Sequence, residues 1–183
     1  MDAAEVVVID EFGSNLDLTR RYARAPRGAR AVGAIPRNTP PNTTTLSSLT
    51  SAGLGPSMVI EGGVSSAVVE AYVEHILGPT LRPGQIVLLD NLSAHKSPRL
   101  GALLAARGCR PWYLPAYSPD YSPIELAFAK VKAELRRWGA RTRETLETAI
   151  ADALTQITPA EARAFFIHCG FRFRPDLAQW FCP

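Results

Sequence analysis

Two short runs of apolar residues in this chain each end in an aspartate. Residues 5–10 read EVVVID, and residues 85–90 read QIVLLD. An apolar run that does not alternate with polar residues is typical of a strand buried on both faces, as in a parallel sheet covered by helices. The sequence therefore predicts an α/β fold in which Asp10 and Asp90 lie at the C-terminal ends of two buried strands.

The segments around these two runs predict the other elements of a mixed sheet. Residues 15–24 are predicted to form the hairpin partner of the first strand, and the Pro-, Gly- and Arg-rich residues 25–41 a loop. Residues 43–50 and 57–61 are predicted as strands, so that together they form an antiparallel meander. Helices are predicted over residues 65–77, 97–107, 142–157 and 159–169, and a further strand over residues 110–114. We expect one domain, residues 1–183, in which helices flank the mixed sheet.

The strongest helix signal in the sequence begins at Ser122. Ser122 has the side chain of a cap, Pro123 stands at the first helical position, and Glu125 is placed to complete a capping box. The apolar stripe that follows at helical spacing is formed by Ile124, Phe128, Val131, Leu135 and Trp138. At 100° per residue, Lys132 and Arg136 lie within about 20° of Glu125 around the helix axis. One acid and two cations therefore share one edge of this helix.

The overall composition excludes several classes of protein. With 46% hydrophobic and 20% charged residues, the chain is neither disordered nor collagen-like. It has no apolar stretch of the roughly 18–20 residues that a membrane helix needs, and no signal peptide, so we expect it in the cytoplasm. Cys109, Cys169 and Cys182 are odd in number and lack a Cys-x-x-Cys pair, so we expect free thiols rather than disulfides or a zinc site.

Basic residues are concentrated in two strips, although the net charge is only +3. The first basic strip is Arg20, Arg21, Arg24, Arg27, Arg30 and Arg37, and the second is Lys130, Lys132, Arg136, Arg137, Arg141 and Arg143. Because a guanidinium group matches the geometry of phosphate oxygens, the strips predict a surface that binds nucleic acid. Ordinary solvated faces are the alternative interpretation.

Three acids in this pattern are candidates for a metal site. If the two buried strands are adjacent and parallel, Asp10 and Asp90 converge, and convergent carboxylates favour a divalent cation such as Mg²⁺ or Mn²⁺ between them. Glu125, in the first turn of its helix, could supply a third ligand. Two such ions would activate a water or hydroxyl for displacement at phosphorus. Alternatively, Asp10 and Asp90 cap turns and Glu125 only completes a capping box.

Three motifs resemble the catalytic domain of mariner-type bacterial insertion-sequence transposases. They are VIDE at residues 8–11, LLDNLSAHKS at residues 88–97 and LPAYSPDYSPIE at residues 114–125, and the resemblance covers roughly residues 5–140. The 34 residues between Asp90 and Glu125 match the spacing of one branch of that superfamily. The resemblance implies a ribonuclease-H-like fold, the integrase and transposase catalytic core. It also implies that Asp10, Asp90 and Glu125 are the catalytic ligands of Mg²⁺ or Mn²⁺, with two ions expected.

Other residues in these motifs carry further expectations. His95 and Lys96 could contact DNA phosphates or the scissile region, the alternative being a histidine hydrogen-bonded inside a loop. Asp120 is expected to be a turn residue rather than a ligand. Glu11 should point to the opposite face of its strand from Asp10 and is therefore not expected to be a ligand. The residues expected to contact DNA are Arg20, Arg21, Arg24, Arg27, Arg30, His95, Lys96, Lys132 and Arg136.

The resemblance implies a metal-dependent DNA transposase catalytic domain that acts at the nucleoid. It would cleave phosphodiester bonds at the ends of a mobile element and join the 3′-hydroxyl to target DNA at a TA dinucleotide, as a homodimer on DNA. A ribonuclease-H-like nuclease outside transposition, or a catalytically silent DNA-binding or dimerisation remnant, are the alternatives. Transposases of this type carry helix-turn-helix modules before the catalytic domain. Because the first predicted strand begins at Glu5, we expect that region to be absent and to be encoded upstream, or the chain to be a truncated remnant.

Overall fold

A six-stranded mixed sheet forms the centre of the molecule, in the order β3-β2-β1-β5-β6, with β4 also paired to β2. The structure, a computed structural model, describes residues 2–37, 41–92 and 95–174. The strands are β1 (Val6–Ser14), β2 (Thr43–Thr50), β3 (Gly53–Leu54), β4 (Met58–Glu61), β5 (Ile86–Leu89) and β6 (Arg110–Tyr113). The helices are α1 (Ser66–Ala71), α2 (Pro98–Ala105), α3 (Pro123–Trp138), α4 (Arg143–Thr155) and α5 (Pro159–His168). In these described ranges no helix has the length and hydropathy needed to cross a bilayer.

The partner of β1 differs from the sequence prediction. Residues 15–24 do not form a hairpin strand; residues 15–37 have no regular secondary structure and are largely exposed. The antiparallel partner of β1 is instead β2, which is buried along almost its whole length. The prediction failed because a hairpin was inferred from proximity in sequence, whereas β1 pairs from Val8 to Ser14 with β2, a segment rich in β-branched residues further along the chain.

β1 is also longer than predicted. It pairs in parallel with β5 only from Val6 to Val8, but its antiparallel pairing with β2 continues to Ser14. Asp10 therefore lies within a strand rather than at its end. Asp90 follows directly after the last residue of β5, as predicted.

Helices cover both faces of the sheet, and β1 alternates between the two resulting cores. Val7 and Ile9 belong to the core that also contains residues of α1 and α2. Val6 and Val8 belong to the core that contains residues of α3, α4 and α5. This period-two alternation, with both faces apolar, confirms the expected α/β architecture with a covered mixed sheet.

The helix predicted from Ser122 is α3, and its apolar stripe faces the sheet. Ile124, Phe128, Val131 and Leu135 are at most 1% exposed, whereas Trp138, at the end of the stripe, is 50% exposed. The rings of Phe12 and Phe128 lie 4.7 Å apart between centroids, which fixes α3 against β1. Burial of each phenylalanine contributes about 1.5–3 kcal/mol. The helix ends at Trp138, and the C-cap residue Gly139 has a φ of 61°, a left-handed conformation.

The remaining helices start and end close to their predicted positions. The helix predicted over residues 65–77 is α1 followed by a π-helical segment, Tyr72–Leu77. α5 begins with a complete capping box, in which Thr158 and Glu161 bond to each other's backbone N–H groups. Cys109 and Cys169 are free and buried, and Cys182 lies outside the described residues.

Candidate active site

Asp10 and Asp90 belong to two adjacent parallel strands, Asp10 within β1 and Asp90 directly after the end of β5. Val8 of β1 is in register with Leu88 of β5, and each aspartate follows two residues after its member of this pair. A step of two residues returns a side chain to the same face of a sheet. Both aspartates therefore share the face of Val8 and Leu88, which is the face covered by α3. The two strands are thus adjacent and parallel, which is the condition under which the two carboxylates were expected to converge.

Glu125 approaches the same place from the first turn of α3. Ser122 is the N-cap residue of this helix, but its side chain makes no capping hydrogen bond, and no capping box forms. Glu125 is exposed, and among the described residues its carboxylate has no hydrogen-bond or ion-pair partner. Its side chain is therefore not occupied by the structural role that a capping box would have given it.

The three acids line one cleft with a volume of about 460 Å³. Its other walls are the loop after β5 and the residues that join β6 to α3. In residues 2–37, 41–92 and 95–174, no three His, Cys, Asp or Glu side chains are close enough to form a metal-ligand cluster. The three carboxylates thus line the same cleft but are not clustered, as expected from the repulsion between like charges.

Asp10 has the most perturbed acidity in this cleft. Burial raises the pKa of its carboxyl group to about 7. The backbone N–H of Glu11 donates to Asp10 Oδ1 at 2.8 Å and opposes this rise. The negative charges of three nearby carboxylates, those of Glu11, Glu125 and Asp90, raise the pKa of Asp10 further. Asp10 is therefore harder to ionise than an ordinary aspartate.

The pKa of Asp90 differs from that of Asp10 because two hydrogen-bond donors contact the Asp90 carboxylate. Burial alone would raise the pKa of Asp90, but its hydrogen bonds from His95 and from the Leu92 N–H hold that pKa below its usual value. Leu92 N donates to Asp90 Oδ1 at 3.0 Å, and His95 Nδ1 contacts the same oxygen. Asp90 is therefore a carboxylate at neutral pH.

His95 is completely buried, with 0% of its surface exposed. The side chain is therefore closed to DNA phosphates, which corrects the expectation of a DNA contact; it is hydrogen-bonded inside the loop after β5, as in the alternative interpretation. Burial would lower the pKa of His95, but its contacts with Asp90 and Glu11 raise that pKa to about 9. Lys96, the next residue, is exposed.

Glu11 is a site residue whose role the sequence did not reveal. By alternation along β1 it faces away from Asp10, as expected, but it still lines the cleft from the other face of the sheet. Its Oε2 lies 3.4 Å from His95 Nε2, an ion-pair distance without aligned hydrogen-bond geometry. The signal in the sequence was an acid next to Asp10, but its histidine partner could be found only from the fold.

The basic residues fall into two groups, those without a protein partner among the described residues and those bonded to a carboxylate or a carbonyl. In the first basic strip Arg20, Arg21, Arg24, Arg27, Arg30 and Arg37 are all exposed, and none has a carboxylate within ion-pair distance among the described residues. In the second strip Lys130 pairs with Glu161 at 2.6 Å, Arg137 with Glu134 at 2.9 Å, and Arg143 with Glu61 and Glu147. Arg141 donates to the carbonyls of Leu16 and Leu18.

Lys132 and Arg136 are the members of the second strip that remain free of carboxylates in the described part of the chain. Both are half-buried along α3, on the edge that carries Glu125. The Lys132 ammonium lies 5.8 Å from the centroid of the Phe12 ring, two residues along β1 from Asp10. These two cations therefore extend along α3 from the acidic cleft.

A second cavity, of about 620 Å³, adjoins the acidic cleft. Asp120 lines it from the short 3₁₀ turn Pro119–Tyr121, together with His168 and Cys169 of the α5 end. Asp120 is exposed and stands in a turn, as expected. At the mouth of the acidic cleft Tyr117 is fully exposed and has a φ of 56°, a left-handed conformation that few residues other than glycine adopt.

The chemistry of the cleft fits a hard divalent cation. Its donors are carboxylates, which Mg²⁺ and Mn²⁺ prefer over nitrogen or sulfur ligands. Asp10 and Asp90 each accept their protein hydrogen bonds on Oδ1, so among the described residues Oδ2 of each stays without a donor. Two carboxylate oxygens on neighbouring strands and the Glu125 carboxylate can therefore serve as ligands.

Comparison with protein families gives a match over most of the chain. The family model described as DDE superfamily endonuclease matches residues 5–147. A search of curated proteins gives no significant match.

Comparison with solved structures gives several matches to Mos1 transposase. A Mos1 paired-end complex with the left transposon end has a TM-score of 0.65 at 15% identity, covering 94% of this chain and 57% of that chain. The Mos1 catalytic domain with Raltegravir and Mn has a TM-score of 0.60 at 14% identity, covering 91% and 80%. A simian T-cell lymphotropic virus intasome has a TM-score of 0.55 at 12% identity, covering 80% and 47%. The expected ribonuclease-H-like fold is confirmed, and the chain spans little more than half the length of Mos1 transposase in its DNA complex.

Proposed function

The chain belongs to the DDE superfamily of endonucleases, and we propose that it is the catalytic domain of a mariner-type DNA transposase. It would cleave phosphodiester bonds at the ends of a mobile element and join the freed 3′-hydroxyl to target DNA. The observation that carries this proposal is the parallel register that sets Asp10 beside Asp90 in a cleft also lined by Glu125. Mos1 transposase, whose fold the chain shares, has been solved in a strand transfer complex.

Asp10, Asp90 and Glu125 would hold the metal, Mg²⁺ or Mn²⁺, with two ions. Mos1 catalytic-domain structures contain Mn and Mg, which supports the same choice here. When bound, such ions activate the attacking oxygen and stabilise the charge that develops during in-line displacement at phosphorus. The chain contributes the negative charge that retains the ions, since Asp90 is held ionised by its donors and Asp10 loses its proton near neutral pH.

The residues outside the cleft would hold the DNA. Lys132 and Arg136 extend from Glu125 along α3 and are free of carboxylates in the described residues, so they can meet phosphates next to the scissile bond. Lys96 is exposed beside the loop that carries Asp90. The exposed arginines of the first basic strip, including Arg20, Arg21, Arg24, Arg27 and Arg30, would contact the duplex backbone further away.

Complete transposition would need components beyond this domain. A helix-turn-helix portion, encoded upstream in the same insertion sequence, would recognise the terminal repeats, and two copies of the catalytic domain would act as a homodimer on DNA. With DNA as its substrate, the protein would work at the nucleoid in the cytoplasm. Single-domain organisation over residues 1–183 is part of the same proposal.

Nicking and joining assays test this proposal and separate it from its alternatives. The wild-type chain, with the upstream modules supplied, should nick DNA in Mg²⁺ or Mn²⁺ and join a 3′-hydroxyl end to a second duplex. Nicking without joining would favour a ribonuclease-H-like nuclease outside transposition. Neither activity in a folded preparation that binds DNA would favour a catalytically silent remnant.

A further inference from the structure

His95 connects two acidic residues that belong to neighbouring strands of the sheet. Its Nδ1 is hydrogen-bonded to Asp90, which directly follows β5, and its Nε2 lies 3.4 Å from Glu11 Oε2 on β1. The imidazole is 0% exposed, so water cannot replace either contact. The histidine therefore joins Glu11, within β1, to Asp90, which follows the end of β5, and both acids line the cleft.

The hydrogen bond from His95 determines which oxygen of Asp90 is available to the cleft. Nδ1 and the Leu92 N–H, at 3.0 Å, both donate to Oδ1. Oδ2 has no donor among the described residues. Two donors on one oxygen restrict rotation of the carboxylate about its Cβ–Cγ bond, so Oδ2 is held as the free ligand.

The backbone of His95 is anchored independently of its side chain. The Tyr113 hydroxyl, at the end of β6, donates to the His95 carbonyl at 3.0 Å, and the His95 N–H donates to the Leu92 carbonyl at 3.1 Å. Neither of these backbone contacts uses the imidazole, so a substitution at residue 95 can change the side chain and leave both contacts available.

We propose that His95 is a positioning residue that orients Asp90 for metal binding, and that Glu11 in turn fixes the imidazole. This inference rests on the proposed function, since Asp90 is taken there as a metal ligand. Groups that hydrogen-bond to a ligand orient it, and their loss typically weakens metal binding or activity by about 10–100-fold. Glu11 thus contributes to the site from the opposite face of the sheet without being a ligand.

The test is a Mn²⁺ titration, read by the electron paramagnetic resonance signal of free Mn²⁺, with no DNA and no activity measurement. His95→Ala removes the donor, and we expect its Mn²⁺ dissociation constant to rise by about 10–100-fold. His95→Asn places an amide N–H near the position of Nδ1 and should restore binding to within about threefold of wild type. His95→Gln reaches instead towards the Nε2 position and should bind as weakly as His95→Ala. The exposed His75 provides a matched control, and His75→Ala should leave binding unchanged.

The outcomes separate this proposal from the proposed function. If wild type binds Mn²⁺ and Asp90→Asn does not, the metal assignment stands; equal binding by wild type and folded His95→Ala then overturns the positioning role alone. If His95→Asn and His95→Gln bind Mn²⁺ equally weakly, the positioning role is also overturned, because a donor at the Nδ1 position would then have no effect on binding. If wild type binds no Mn²⁺, the metal assignment and the positioning role both fail. If circular dichroism shows that His95→Ala does not fold, the difference in Mn²⁺ binding between His95→Asn and His95→Gln tests the positioning role instead.

Discussion

Ser122 stands at the N-cap of α3, but neither it nor Glu125 closes the capping box that their spacing predicts. The same motif in α5 is complete, with Thr158 and Glu161 bonded to each other's backbone N–H groups. Glu125 instead lines the cleft that contains Asp10 and Asp90, as well as the adjoining cavity. A side chain that does not stabilise its own helix is free to act as a ligand.

Glu125→Gln should therefore separate catalysis from stability. Because Glu125 is exposed and makes no cap, we expect its free energy of unfolding to change by less than about 0.5 kcal/mol. Gln lacks the charge that a hard cation requires, so Mg²⁺- or Mn²⁺-dependent DNA cleavage should fall by orders of magnitude. Urea denaturation and a nicking assay measure the two effects.

The control for this substitution is Glu161→Gln, which lies in the first turn of α5 and does not line the acidic cleft. Glu161 caps α5 and pairs with Lys130 at 2.6 Å, so its substitution should lower stability and leave cleavage at the wild-type rate. Comparable cleavage by Glu125→Gln and wild type would show that Glu125 is not a ligand.

Lys132 and Arg136 are predicted to bind DNA phosphates, unlike Arg137 next to them. Arg137 is paired with Glu134 at 2.9 Å, whereas the other two have no carboxylate partner in the described residues. Alanine substitution of Lys132 or Arg136 should weaken binding to any duplex and reduce the slope of log affinity against log salt by about 1. Arg137→Ala should change neither quantity. Fluorescence anisotropy between about 50 and 200 mM salt measures the affinity and the slope. Identical slopes in all three variants would show that Lys132 and Arg136 do not contact DNA phosphates.

The raised pKa of Asp10 predicts that metal binding depends on pH. Its folded-state pKa of about 7 exceeds the ordinary value of 3.8, so without metal the proton it binds stabilises the fold at low pH, and that contribution is lost as pH rises through 7. A metal competes with this proton. The apparent Mn²⁺ association constant should therefore rise by up to about tenfold per pH unit below 7 and level off above it.

Calorimetry in buffers of different ionisation enthalpy checks this prediction, because one proton should be released per binding event at about pH 6. Asp10→Asn has no proton to release. Metal binding by wild type that is independent of pH from about 5 to 8 would contradict the raised pKa as the cause.

Local patterns in the sequence predicted most elements of the fold. β2 was predicted with its observed ends and α3 with its observed start and apolar stripe, because β-branched residues and a stripe of period 3.6 are local signals. The pairing of β1 depends on surface buried between distant segments, which explains why residues 15–24 were assigned wrongly to a hairpin. Asp10 lies inside β1 for the same reason.

The candidate site was predicted less completely than the fold. Asp10, Asp90 and Glu125 follow from strand ends, a helix start and a resemblance, all of which can be read along the chain. His95 is buried and lies 3.4 Å from Glu11, a residue distant in sequence, and no local spacing indicates that contact. Ion pairs occupy three cations of the second basic strip, and backbone carbonyls occupy Arg141, which only the positions of their partners could show.

The central claim is that Asp10, Asp90 and Glu125 form a metal site, and anomalous scattering from a crystal grown with saturating Mn²⁺ tests it most directly. The account predicts an anomalous peak in the cleft at about 2 Å from carboxylate oxygens of Asp10 and Asp90, with Glu125 turned towards it. A crystal of the Asp90→Asn variant grown under the same conditions should show a much weaker anomalous peak. A wild-type crystal with no peak in this cleft, or with Mn²⁺ bound only at other carboxylates, would contradict the account.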